Sequence, residues 1–209
     1  MAVAIVPAAG QGTRMGGKKL LLPFRGSTVI GACLEALRAG GVGRIVVVLG
    51  ADHAVEGPAR AHGAEIARNP APERGMLGSI WEGLAALGGP ARLAAAGEAL
   101  LVCPADLPAL SAATVRAVRE AVERGARLAL PAHSGKRGHP LGISAGLAAE
   151  ILTLDPTVGL RELRERHRDE VETVVVDDPG CVHDVDTPEE YRDLGGDDDA
   201  LPPTGRTTR

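Results

Sequence analysis

At 209 residues, with 44% hydrophobic and 24% charged side chains, the chain has the composition of one soluble domain and is short for two. A net charge of −4 argues against broad binding to nucleic acid or anionic membranes, and Phe24, Trp81 and Tyr191 are too few aromatics for base stacking. Cys33, Cys103 and Cys181 are widely spaced and odd in number, which suggests neither a disulfide framework nor a zinc site.

Residues 2–7 (AVAIVP) form a short apolar run bounded by turn residues and predict a buried strand. Ser27 is placed to N-cap a helix to about Arg38, closed by Gly40 and Gly41. Residues 44–49 predict a second buried strand, 53–62 a helix and 63–67 a third strand. Residues 76–87 have helical spacing, with Trp81, Leu84 and Leu87 on one side. Residues 99–103 predict a strand, after which Ser111 caps a helix to about Arg124. Strands at 128–131 and 141–144 precede helices at 145–152 and 158–167. A strand at 171–176 and a Thr187-capped helix to Leu194 complete the series. No apolar run approaches transmembrane length and no basic leader precedes the first strand, so a cytoplasmic protein is expected.

Alternating strands and helices imply βαβ units, hence an α/β fold with a mostly parallel sheet covered on both faces. One domain is expected over residues 1–194. From Gly195 the composition shifts to GGDDDALPPTGRTTR, and residues 195–209 are expected to be a disordered tail outside the fold. Ligands of open α/β sheets bind beyond the carboxyl ends of the strands, so residues just after strands carry the most information.

The first such segment runs Ala8-Ala9-Gly10-Gln11-Gly12-Thr13-Arg14-Met15-Gly16-Gly17-Lys18-Lys19. Small residues let the backbone approach a ligand, successive N–H groups can form an anion-binding nest, and Arg14 and Lys19 suit phosphate oxygens. A dinucleotide fingerprint fails because the third glycine falls one place late and no helix follows. A Walker A loop fails because Lys19 stands where Ser or Thr must bind Mg²⁺ and Leu20-Leu21-Leu22-Pro23 runs extended. A solvated Gly-rich surface turn is the competing reading of the loop alone. Asp106, three residues past a buried strand, can hold Mg²⁺ or can simply be a turn aspartate. Asp186, before the cap Thr187, is either a second acidic ligand or a helix-start carboxylate beside the dipole, and Asp184 could also face the site. Cys103 reads as a small core residue, not a nucleophile.

Five blocks in register carry a resemblance: AAGQGTRMGGKKLLLP (8–23), Asn69-Pro70 with GMLGSI (75–80), ADLPAL (105–110), Gly138-His139-Pro140 and DVDTPEEY (184–191). Together, over residues 3 to 194, they resemble the MobA-like NTP-transferase family. Within it the chain looks most like molybdenum cofactor cytidylyltransferases. The resemblance implies a three-layer, Rossmann-like nucleotide-diphospho-sugar transferase fold. It implies an enzyme in which Arg14, Lys19 and Asp106 act in catalysis, and Asp106 and Asp186 hold Mg²⁺. Ala8, Ala9, Gly10, Gly12, Thr13, Arg14, Lys19, Asn69, Gly75 and Ser79 would bind the nucleotide, and His139 the acceptor. The implied partners are CTP and a phosphorylated small acceptor, molybdopterin, with a possible molybdoenzyme or chaperone contact. Ala9, where the guanylyl branch favours a second glycine, resembles the cytidylyl branch.

Two departures stand out. Ala105 replaces a glycine common before this aspartate, and residues 155–161 (DPTVGLR) stand where a GDxGAR-like stretch is usual. The second bears on the acceptor more than on the nucleotide. A sugar-phosphate nucleotidyltransferase of the same fold and a non-catalytic nucleotide-binding accessory module are the alternative readings.

Overall fold

The computed structural model describes residues 1–10, 19–197 and 200–201. Strand β1 (Ala2–Pro7) is apolar and ends on Pro7, which a helix interior would not tolerate, and residues 2–6 are buried. Two short strands, β2 (Pro23–Phe24) and β3 (Ser27–Thr28), form a hairpin whose turn puts Arg25 and Gly26 at φ of 49° and 84°. That hairpin uses Ser27 and so delays the helix by one residue. Thr28, not Ser27, caps α1 (Val29–Ala39), its Oγ1 accepting the Gly31 N–H.

Then follow β4 (Val42–Leu49), α2 (Glu56–Ala61), β5 (Glu65–Arg68) and α3 (Gly75–Ala86). The helix α4 (Gly89–Ala96) was not expected. It is Ala-rich and buries only Leu93, so it lacks the apolar stripe by which a helix is read. Beyond it lie β6 (Ala99–Val102), α5 (Ala112–Glu123), β7 (Leu128–His133), β8 (Lys136–Arg137) and β9 (Leu141–Ile143). The helix expected at 145–152 is instead two 3₁₀ turns, Ala145–Leu147 and Glu150–Thr153, with i to i+3 bonds. The series ends with α6 (Leu160–Arg166), β10 (Val171–Val175) and α7 (Pro188–Asp193).

Among the described residues the main sheet runs β10-β7-β9-β6-β1-β4-β5, with β8 on β7. The neighbours of β1, β4 and β5 are parallel, as are β7 and β10, while β9 is antiparallel to both β6 and β7. The mostly parallel sheet was expected, and the reversed strand near its middle was not. Alternation along β1 sends Ala2, Ala4 and Val6 to a core shared with α1 and α5, and Val3 and Ile5 to one shared with α3. The sheet is thus covered on both faces, in three layers. Among the described residues no helix is long and apolar enough to cross a membrane.

A third, smaller core joins Leu22, Phe24 and Val29 to Val185 and Tyr191. The Tyr191 hydroxyl donates to the Pro23 carbonyl, which closes this cluster across the chain's two ends. Described residues beyond position 194 reach the same place. The Asp197 N–H donates to the Tyr191 hydroxyl, and Ala200 and Leu201 pack against the cluster.

Candidate active site

The parallel strands end together on one edge. Ala8 N–H extends the β1 ladder to the Val48 carbonyl, Cys103 N–H extends β6 to Ile5, and Asn69 N–H extends β5 to Leu49. Each hydrogen bond carries the strand order one residue into the following loop. Ala8 and Ala9 are half-buried there, and a Cβ on Gly10 would meet nothing within 4 Å. Among the described residues, then, nothing crowds the space above Gly10. Gly12, Thr13 and Arg14, expected in the same loop, lie outside the described residues.

Lys19 closes the loop and reaches two carboxylates from distant segments. Its Nζ lies 2.7 Å from Asp106 Oδ2 and 2.8 Å from Asp186 Oδ1. Burial would lower its pKa, but the hydrogen bonds and charges of Asp106 and Asp186 outweigh that and hold it above the ordinary lysine value. Asp106 and Lys19 are shielded, at 19% and 15% side-chain exposure, whereas Asp186 at 42% opens to solvent.

The local chemistry explains why these groups meet. The Val185 N–H donates to the Asp106 carbonyl at 3.0 Å, which lays residues 184–186 beside the β6 loop. Val185 is buried in the third core with Leu22 and Phe24, just past Lys19. Thr187 and Glu190 form a reciprocal capping box, and Glu190 Oε2 also accepts the Asp186 N–H at 2.9 Å. The backbone on both sides of Asp186 is thus fixed before any ligand arrives.

Asp184 joins the two aspartates, one ligand atom from each of the three lying within 4.8 Å of the others. Burial raises its pKa, and the Asp106 and Asp186 charges push the same way. Three clustered carboxylates favour a hard cation over three ionised neighbours, and the Lys19 ammonium already occupies the place of a cation between two of them. This donor set fits Mg²⁺ or Mn²⁺.

Other expected residues are placed less directly. Asn69 and Ser79 are both buried and bonded to each other, Nδ2 to Oγ at 3.0 Å, while Asn69 Oδ1 accepts the Ala71 N–H. They join the end of β5 to α3. Gly75, at φ of 65°, is the exposed member of that block. His139 sits between β8 and β9, its peptide to Pro140 cis and its N–H donated to the Cys181 carbonyl. Its Nδ1 is buried without a hydrogen-bond partner among the described residues. Burial lowers the His139 pKa, the Arg164 charge adds to that, and Asp106 opposes it, so the ring is neutral at pH 7. Cys103 is buried 3.9 Å from the Cys33 sulfur, and its pKa is pushed up by that hydrogen bond and by burial, so no reactive thiolate stands there.

Sequence reasoning missed Asp178. This buried carboxylate accepts the Ser111 and Gly180 N–H groups at 2.9 and 3.0 Å and the Thr114 hydroxyl at 2.6 Å. It ties the start of α5, just after the Asp106 loop, to the turn that leads into residues 184–186. Asp178-Pro179-Gly180 is a recognisable turn signal, but nothing local reveals its partner 67 residues away.

Residues 4–171 match the model of the MobA-like NTP transferase domain. Nicotine blue oxidoreductase of Paenarthrobacter nicotinovorans is 33% identical over 90% of this chain and 94% of its own length. Molybdenum cofactor cytidylyltransferase of Escherichia coli is 25% identical over 90% of this chain and 92% of its own. Rv0371c of Mycobacterium tuberculosis, solved in complex with manganese, aligns with a TM-score of 0.68 at 27% identity, covering 92% of this chain and 97% of that one.

Proposed function

The chain belongs to the MobA-like NTP transferase family, and from that premise we propose that it moves CMP from CTP onto the phosphate of a small acceptor, molybdopterin, releasing pyrophosphate. One observation carries this reading: Lys19, Asp106 and Asp186, from three separate segments, converge at the carboxyl edge of the sheet. A cation and paired carboxylates at that edge are what a metal-dependent phosphoryl site requires.

Asp106 and Asp186, with Asp184 beside them, would hold Mg²⁺ or Mn²⁺. The metal supplies charge neutralisation and Lewis-acid character at phosphate oxygens. An acceptor phosphate oxygen attacks the α-phosphorus in line; the bond to the bridging oxygen breaks, and pyrophosphate leaves with its electron pair. The nucleophile is already anionic, so no side chain need remove a proton. The protein's part is positioning and charge. Ala8, its own N–H bonded to Val48, fixes the start of the loop beside the nucleotide; backbone N–H groups of Ala9, Gly10, Gly12 and Thr13 would cradle the triphosphate, and Arg14 and Lys19 would neutralise the departing pyrophosphate. Asn69 and Ser79 position the start of α3, where Gly75 offers backbone to the nucleotide. His139 faces the acceptor.

The test is pyrophosphate release with CTP and Mg²⁺, offering molybdopterin against a panel of sugar 1-phosphates. Release that requires molybdopterin is expected, and release with a sugar phosphate alone would move the acceptor class. Thermal shifts with CTP, GTP, ATP and UTP read the base, and stabilisation by GTP alone would overturn the cytidylyl assignment.

A second reading has its own observation, the 33% identity to a protein named as an oxidoreductase. The same loop could hold the pyrophosphate of a nicotinamide dinucleotide. Consumption of a reduced nicotinamide dinucleotide with nicotine blue, and no pyrophosphate from CTP, would replace transfer by reduction.

A further inference from the structure

One ammonium is needed in two positions if the chain is a metal-dependent transferase. Lys19 would meet the departing pyrophosphate, yet its Nζ lies 2.7 Å from Asp106 Oδ2 and 2.8 Å from Asp186 Oδ1, on the carboxylates that would hold the divalent cation. These are short, charge-assisted contacts in a shielded place, with the Lys19 and Asp106 side chains 15% and 19% exposed. A divalent cation bridging those two oxygens would stand roughly 2.1 Å from each, in the space between them that Nζ fills. Two cations that close would repel strongly where water is largely excluded, so the pair of oxygens serves one or the other.

What can yield is the Lys19 side chain. Its backbone is anchored, because its carbonyl accepts the Leu22 N–H at 3.3 Å and the neighbouring Leu20 and Leu21 pack against the main core. The backbone on the carboxylate side is anchored too, by the Val185 N–H on the Asp106 carbonyl and the Asp186 N–H on Glu190 Oε2. Between these fixed points lies a flexible four-carbon stem with a point charge at its end, which can swing several ångströms while the backbone stays still.

We propose that Lys19 gates the metal site: its ammonium ties Asp106 to Asp186 and must let them go before a divalent cation can bridge them, and the same release frees it for the nucleotide's phosphates. The inference rests on the transfer reading only for that second destination. A divalent cation offered alone then binds weakly, because the arrangement with Lys19 withdrawn is the minor one. A triphosphate that draws Lys19 off tightens the metal, and by linkage the metal tightens the triphosphate by the same factor. A lysine that served the phosphates alone would leave metal affinity unchanged on its removal, whereas removing a gate raises it.

The experiment titrates the full chain with Mn²⁺ alone and reads the free ion by electron paramagnetic resonance. Lys19→Met, which keeps the stem and drops the charge, is expected to bind Mn²⁺ about tenfold tighter than wild type, the gain due if Lys19 holds the carboxylates roughly nine-tenths of the time. Loss of any nearby positive charge also favours a cation, so displacement is read separately. Wild type receives a brief pulse of an acetylating ester with and without Mg²⁺, and acetylated Lys19 is counted by mass spectrometry against the exposed Lys136. Mg²⁺, at a concentration that displaces bound Mn²⁺, should raise labelling of Lys19 several-fold and leave Lys136 unchanged. Mn²⁺ binding no tighter in Lys19→Met than in wild type, or Lys19 labelling that ignores Mg²⁺, overturns the proposal. If Lys19→Met fails to fold, the labelling of wild type decides it alone. Labelling of Lys19 that follows Mg²⁺ in a protein that releases no pyrophosphate from CTP would sink the transfer reading alone. Pyrophosphate release with Lys19 labelling unmoved by Mg²⁺ would sink this one alone.

Discussion

The two halves of the sheet are built by different means. In one half β1, β4 and β5 are parallel, and what they present at the carboxyl edge is mostly backbone: Ala8, Ala9, Gly10 and the exposed start of α3. From β6 onward the order is mixed, a reversed β9 intervenes, and the edge carries side chains: Asp106, His139, Asp184 and Asp186. Backbone suits what every nucleoside triphosphate shares, since N–H groups read phosphate whatever the base. Side chains on turns and short helices suit what differs between reactions. The contrast explains how relatives named for a cytidylyl transfer and for an oxidation can share one architecture with this chain.

Asp106 stands where the halves meet, so its loss should have the largest effect. Asp106→Ala is expected to lower pyrophosphate release from CTP by about 10³-fold while the protein still melts cooperatively. Release at the wild-type rate would remove Asp106, and with it the proposed metal site, from the mechanism.

Asp178 tests whether the side-chain half depends on one buried hub. Asp178→Ala leaves three donors without their acceptor. A cost of about 3 kcal/mol is expected, seen as a fall in melting temperature of roughly 6–12 °C for a chain of this size. A melting temperature within a degree of wild type would show that the two flanks of the aspartate cluster hold together without it.

The smallest expected effect lies at the rim, where His167 meets Glu150 at 2.9 Å and Glu170 at 2.8 Å. Its hydrogen bonds to Glu150 and then Glu170 hold the imidazole above its usual 6.5. Because the folded value is raised, the contribution is fully present below about pH 6.5 and is lost as pH rises through the folded pKa. The difference in melting temperature between wild type and His167→Gln should therefore be a few degrees at pH 5.5 and shrink by pH 9. A difference that grows with pH would reverse the sign and exclude the pairing.

Much of the site was legible in the chain because the relevant rules are short-range. Asp106 and Asp186 could be singled out as the carboxylates that follow strands, and Lys19 as the last cation of a glycine-rich loop. That the three meet within hydrogen-bonding distance was not readable, since Lys19 is 87 residues from one and 167 from the other.

The sequence by itself determined the pieces whose physics closes within a few residues. These are the apolar run of β1, the Ser111 cap that accepts the Thr114 N–H, and the Thr187–Glu190 capping box. The tertiary structure decided what depends on pairing distant segments. It set β9 antiparallel between β6 and β7, moved the α1 cap to Thr28 through a hairpin, and drew Asp184 into the cluster. Caps and side-chain periodicity are set by bonds three or four residues long, and so are written locally. Strand order and charge clusters are set by which buried faces find each other, and no local propensity records that choice.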